Sequence, residues 1–128
     1  MALEPGLIGT ITFTVGAEDT AESLGSGDVP VLATPRVVLL AERATVAAVA
    51  GHVPDGMTTV GYRVQLDHLA PVPVGDTITT DATLEAVEGR RLTFRVSVKH
   101  DAGLVAAGRV TRVVVERTRF LEKAAGNL

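Results

Sequence analysis

Two hydrophobic periods organise the chain. Leu7 to Gly16 (LIGTITFTVG) sets Leu7, Gly9, Ile11, Phe13 and Val15 on one side and Ile8, Thr10, Thr12 and Thr14 on the other. A two-residue period rich in β-branched side chains predicts a strand. Ala17 to Ala33 (AEDTAESLGSGDVPVLA) has no clear period. It is acidic at first, then rich in Gly and Ser, with Pro30 near its end. So long an aperiodic stretch in a small domain reads as a functional loop, and 17–33 is a candidate lid.

The period then lengthens. Thr34 and Pro35 open a helix, Thr34 as the N-cap and Pro35 as the first helical residue. Pro35 to Ala50 contains no glycine, and Gly51 stops it. Its charges are Arg36, Glu42 and Arg43 only. The two arginines share a stripe, and Glu42 lies about 100° from Arg43, toward the apolar side. A helix this apolar is expected to be buried on most sides.

From Met57 the short period returns and stays. Met57 to Val72, Thr77 to Val87, Leu92 to His100 and Leu104 to Phe120 read as extended. Glu88-Gly89 and Asp101-Ala102-Gly103 are hairpin turn signals. Gly108 marks a bulge or a close approach. The tail AAGNL reads as frayed. One strand, one apolar helix and four more antiparallel strands predict an α+β layer, a five-stranded sheet curled round the helix. Without repeats or a composition break, 1–128 reads as a single domain.

Composition narrows the function classes. At 128 residues with 46% hydrophobic and 21% charged side chains, the chain is core-forming and not disordered. A net charge of -3 and few aromatics (Phe13, Tyr62, Phe94, Phe120) argue against nucleic acid as a partner. The absence of cysteine removes disulfides, thiolate metal sites and a cysteine nucleophile. MALEPGLIGT is not a signal peptide, and the apolar run Val37 to Ala41 is far shorter than a membrane span. A cytoplasmic protein is expected.

Three residues carry the candidate chemistry. Glu42 is a carboxylate on an apolar helix, where burial would raise its pKa and make it a better base. The plainer alternative is a salt bridge to a sheet arginine. His68 shares a strand face with Val64 and Leu66, turned toward the helix, and an imidazole there can move a proton or hold water. It can equally be a core histidine bonded to a carbonyl. Thr34 needs no role beyond capping, yet the helix start offers free N–H groups that polarise a carbonyl oxygen. Thr34 and Glu42 are eight residues apart, about 12 Å along one helix. Two antiparallel helices across a two-fold axis would bring the start of one near the middle of the other. The turn arginines Arg90 and Arg91 can clamp a phosphate, although solvated turn charges are commoner. His52 and His100 form no metal-ligand spacing with His68, so no metal is assigned. No phosphate loop, dinucleotide fingerprint or nucleophile elbow is present.

The segments ATPRVVLLAE, VGYRVQLDHLAPVPVG and VEGRRLTFRVSV resemble the hot-dog-fold thioesterases, and within them the fluoroacetyl-CoA thioesterase-like group. The resemblance runs from about Thr34 to Phe120. A threonine at the helix start matches Thr34, a glutamate eight residues on matches Glu42, and a histidine seven residues after a glycine matches His68 after Gly61. It implies a hot-dog fold: a five-stranded antiparallel sheet wrapped round one long central helix, paired as a homodimer or as two dimers joined into a tetramer, with sites at the interface. It implies hydrolysis of an acyl-CoA thioester with coenzyme A as part of the substrate and no metal or redox cofactor. Glu42 would be nucleophile or general base, His68 would assist proton transfer, and Thr34 would position the carboxylate or substrate. Backbone N–H groups near the helix start or Gly61 would polarise the carbonyl, and Arg90 and Arg91 would contact coenzyme A phosphates. The fluoroacetyl-specific enzyme has an aromatic lid, whereas 17–33 here has no Phe, Tyr or Trp. A general short-chain acyl-CoA thioesterase is therefore the expectation. The rivals are a non-catalytic acyl-CoA or small-ligand binding protein, a hydratase or dehydratase on the same fold, and an interaction module whose sheet only builds dimers.

Overall fold

The computed structural model describes residues 2–101 and 103–126. Five strands, β1 (Ile8–Thr14), β2 (Met57–His68), β3 (Thr77–Glu88), β4 (Arg91–His100) and β5 (Gly103–Glu116), form one antiparallel sheet. The α-helices among the described residues are α1 (Ala21–Leu24), α2 (Thr34–Val49) and α3 (Arg117–Ala124). The spatial order of strands is β1-β3-β4-β5-β2. The four strands after α2 are therefore not all neighbours. β2 crosses to the far edge and pairs with β5, and β3 pairs back onto β1.

The sheet closes round α2 because the helix offers it one apolar stripe. Val37, Leu40, Ala41, Ala44, Thr45, Ala48 and Val49 recur at three- and four-residue steps and are all buried. They meet Leu84, Leu92, Phe94, Val96, Val98 and Val110 from the sheet's inner face. Each large side chain so buried contributes about 1.5–3 kcal/mol. Gly9 of β1 sets how close the helix comes, since a Cβ there would run into Ala44 O and Ala48 N. Gly108 lies against the Gln65 carbonyl in the same way, which is the close approach expected of it. Gly89, with φ +62°, takes the first place of the two-residue β3–β4 turn, where a positive φ is required. Ala102 of the second expected turn lies outside the described residues.

Four expectations change. Thr34 is not the N-cap. Ala33, extended at φ -75° and ψ 142°, holds that place, and Thr34 is the first helical residue with Pro35 after it. The Thr34 hydroxyl is then spare, and it turns to His68. Second, α2 is not buried on most sides, because the sheet of one chain covers only one of them. Leu39, Arg43, Val46, Ala47 and Ala50 remain exposed. Third, β5 stops at Glu116 and α3 follows. Valine alternation ends there, and the Glu116 carboxylate accepts the Arg119 N–H at 3.0 Å, a helix cap. Finally, 17–33 is neither structureless nor loose at its ends. A 3-10 turn (Ala17–Asp19) and α1 occupy its first half. Asp19, 4% exposed, pairs with Arg36 of α2 at 3.0 Å and accepts the Gly16 N–H at 2.8 Å. Leu32 N–H donates to Val72 O, and the tip, 22–30, is exposed throughout.

Candidate active site

The start of α2 and the end of β2 meet at Thr34 and His68. Strand alternation carries Val64, Leu66 and His68 onto the inner, partly buried face. Thr34 Oγ1 lies 2.9 Å from His68 Nδ1. His68 Nε2 is buried and has no hydrogen-bond partner. A hydroxyl donating to Nδ1 leaves the ring proton on Nε2. In that tautomer the pair aims one N–H at whatever group reaches it. Buried ring nitrogens are nearly always paired, so an unpaired one marks a place for a ligand, a water or a proton.

The middle of α2 holds a second pair. Arg112 of β5 is 6% exposed, and its Nη1 donates to Glu42 Oε2 at 3.2 Å. The same guanidinium donates from Nε to Thr59 Oγ1 and from Nη2 to Thr59 O, both at 2.9 Å. Burial pushes the Arg112 pKa down, and the charge and hydrogen bond of Glu42 pull it back up. Glu42 is thus not sealed in the core. Its side chain is 36% exposed and faces the Arg112 guanidinium. Gly61 of β2 makes the room, because a methyl group on it would lie 2.5 Å from Glu42 Oε2. The β2–β5 register slips between Gly61 and Arg63, next to this opening.

The salt bridge weighed as the plainer alternative for Glu42 is therefore present. Arg112, its partner, went unread in the sequence, although a signal existed. It falls in phase with Val110 and Val114, an arginine on the buried face of β5.

The two pairs do not meet. Thr34 and Glu42 remain about 12 Å apart along α2, as their spacing requires. Glu42 opens instead into a trough of about 440 Å³ over the bare side of the helix, floored by Leu39, Val46, Ala50 and Ile11. The turn arginines Arg90 and Arg91 share a groove of about 320 Å³ with Glu88 and Val113. The Arg91 guanidinium stands 4.9 Å from the centre of the Tyr62 ring, a cation–π contact. Arg90 also lines a second groove, beside α3. Neither lines the Glu42 trough. His52 Nδ1 is 3.3 Å from Ala2 O, and His100 Nε2 is 2.8 Å from Asp76 Oδ2. No helix among the described residues is long and apolar enough to cross a membrane.

Comparison with known proteins agrees with this fold. The profile of the fluoroacetyl-CoA-specific thioesterase family matches residues 15–118. The fluoroacetyl-CoA thioesterase of Streptantibioticus cattleyicolor is 37% identical over 93 residues, 73% of this chain and 67% of that protein. A solved fluoroacetyl-CoA thioesterase superposes with a TM-score of 0.91 at 30% identity, over 100% of this chain and 99% of that one. A variant of such an enzyme has been solved with fluoroacetate and CoA. A hot-dog-like protein from Thermanaerovibrio acidaminovorans gives 0.86 at 27% identity, over 96% and 90% of the two chains.

Proposed function

We infer that the chain, which belongs to the fluoroacetyl-CoA-specific thioesterase family, hydrolyses a small acyl-CoA to the free acid and coenzyme A. The observation that carries this reading to particular residues is the buried, unpartnered Nε2 of His68, held from behind by Thr34. Water adds to the thioester carbonyl, the C–S bond breaks, and the thiolate leaves with a proton. Glu42 either takes the proton from the attacking water or attacks first, giving an anhydride that water then opens. The Nε2–H of His68 donates to the departing thiolate or holds the water. Thr34 positions the ring, and backbone N–H groups near the helix start or Gly61 polarise the carbonyl. No metal or redox cofactor is needed.

The site is completed by a second copy. Two antiparallel α2 helices across a two-fold axis would lay the Thr34–His68 pair of one chain near Glu42 of the other. This is a cytoplasmic homodimer in our reading. The acyl group is small and not specifically fluoroacetyl, since no aromatic residue stands in 17–33 to cover it. Thiol release from a panel of acyl-CoA esters tests the activity, with Glu42→Gln as control. Rapid release abolished in the variant is expected. Mixing Glu42→Gln with His68→Ala tests the shared site: each is inactive alone, and mixed dimers regain one intact site. No recovery in a proven mixed dimer would place both residues in one chain. Label found in Glu42 after a single turnover in ¹⁸O-water would identify it as the nucleophile, through water attack at the Glu42 carbonyl of the anhydride.

One observation favours a second reading. The Glu42–Arg112 ion pair suits a structural glutamate in a non-catalytic acyl-CoA binder. Glu42→Gln that binds a thioester as the parent does, with turnover absent from both, would favour that protein.

A further inference from the structure

We propose that Asp19 is a positioning residue of the reaction: it fixes the start of α2 and so sets Thr34 against His68. The proposal rests on the thioesterase reading and names what holds that site in register. The segment 17–33 has four acids, of which Glu18, Glu22 and Asp28 are exposed. Asp19 is 4% exposed, the only carboxylate so buried among the described residues. A carboxylate is costly to bury, and its partners show what it holds. Oδ2 accepts the Gly16 N–H at 2.8 Å, and Oδ1 lies 3.0 Å from Nε of Arg36, in the first turn of α2. The backbone carbonyl of Asp19 accepts the Ala33 N–H at 2.9 Å. Asp19 thus grips α2 twice, at its N-cap residue and at a side chain of its first turn.

This grip stands in for the usual means of holding a helix start. Ala33 has no side chain to cap with, and no acid stands in the first turn. Arg36 is a cation where the helix dipole disfavours one, and Asp19 answers it from outside the helix. Arg36 Nε has no aligned hydrogen-bond acceptor, so charge rather than bond direction holds the pair. Such a pair gains little stability, because desolvation offsets its attraction. What it supplies here is register. Thr34 follows Ala33 directly. On the other side of the site, Leu32 N–H donates to the carbonyl of Val72, four residues beyond His68. The base of 17–33 is therefore bonded to the chain next to both members of the Thr34–His68 pair. A slip of about 0.7 Å at the helix start would stretch their 2.9 Å contact to about 3.6 Å, where it ceases to be a hydrogen bond. The His68 ring would then lose the partner that selects its tautomer.

Three variants and one spectrum test this. Asp19→Asn keeps the shape and an oxygen for Gly16 but loses the charge. Arg36→Gln removes the charge at the other end, where the side chain is 25% exposed, and Arg36→Lys restores it. Asp19→Asn and Arg36→Gln should each lower kcat about ten-fold with KM within about two-fold, because small misplacements of a reacting group are costly. Arg36→Lys should recover most of the rate. Thr34→Ala provides the discriminating background: either charge-loss variant should cost almost nothing more in a chain that already lacks the Thr34 hydroxyl. Losses that multiply would mean that Asp19 acts elsewhere, and parental kcat in both folded variants would mean a purely structural pair; either result overturns the proposal. If Asp19→Asn does not fold, Arg36→Gln carries the same comparison. Nitrogen-15 NMR of the His68 ring, assigned by its loss in His68→Ala, decides without turnover. The parent should show one tautomer, protonated at Nε2, and the charge-loss variants a mixture. An unchanged ring in both overturns the proposal. A parent that hydrolyses no thioester, yet whose ring responds to Arg36→Gln and recovers in Arg36→Lys, would sink the thioesterase reading and leave the positioning of His68 by Asp19 standing.

Discussion

Gly61→Ala should separate activity from stability. The added methyl would sit 2.5 Å from Glu42 Oε2, 3.4 Å from Glu42 Cδ and 3.8 Å from Arg112 Nη1. Ordinary contact needs roughly 3.5 Å, so the carboxylate oxygen must retreat by about 1 Å. Retreat is cheap in folding terms. The obstructing atom is the far end of a flexible side chain that is 36% exposed. Gly61 has no positive φ to strain, and alanine restricts the unfolded chain more than glycine does. The 3.2 Å bond to Arg112 Nη1 lengthens, and its loss costs about 1 kcal/mol where the carboxylate end of the pair is 36% exposed. Folding stability should therefore change by no more than about 1 kcal/mol, or about 4 °C in Tm. Chemistry is less tolerant. A reacting group displaced by about 1 Å can lose about a hundred-fold in rate, equivalent to about 2.7 kcal/mol of barrier. The expected result is a fall in kcat of ten- to a hundred-fold, roughly, with KM nearly constant and Tm nearly intact. Calorimetric unfolding and steady-state thiol release on one preparation decide it. A variant with parental kcat would refute a working role for the Glu42 carboxylate in its present position. A collapse of Tm would refute the claim that only a side-chain end stands in the way.

Other perturbations test the neighbouring links. Arg112→Leu should destabilise by about 2–4 kcal/mol, because it strips Thr59 of two bonds and Glu42 of its partner; chemical denaturation reads it. A double-mutant cycle with Glu42→Gln should return only about 1 kcal/mol of coupling, since the carboxylate is 36% exposed; a value several-fold larger would mean that the pair is sealed from water. Thr34→Ala should change stability by less than about 0.5 kcal/mol, because Ala33 and not Thr34 holds the capping position. It should lower kcat by freeing the His68 ring, and Thr34→Ser should restore the rate. Gly9→Ala should cost about 3 kcal/mol or more by driving β1 off the α2 backbone; a parental Tm would contradict that contact.

Much of the architecture was legible because it rests on local period. The two-residue alternation of Leu7 to Val15 fixed which side chains of β1 turn inward, and Val64, Leu66 and His68 fell on the inner face by the same rule. The stripe Val37, Leu40, Ala41, Ala44, Ala48 needed only helical geometry. Local signals were weaker where two neighbours compete for one group. Thr34 has the chemistry of a cap, but its hydroxyl found an imidazole 34 residues away. Glu116 looked like the interior of a long strand until its carboxylate capped α3.

Local pattern sufficed for the five strands, for α2, for the inward faces and for the candidate side chains, because each follows from neighbours a few residues apart; α1 and α3 escaped it. Tertiary structure decided the partners. That Glu42 faces Arg112 across 70 residues, that Gly61 yields the space between them, and that β2 lies beside β5 and not β3 all depend on how the sheet curls round the helix. Period records which way a side chain points along its own strand or helix. It does not record which strand arrives opposite, and that is set by the packing of the whole chain.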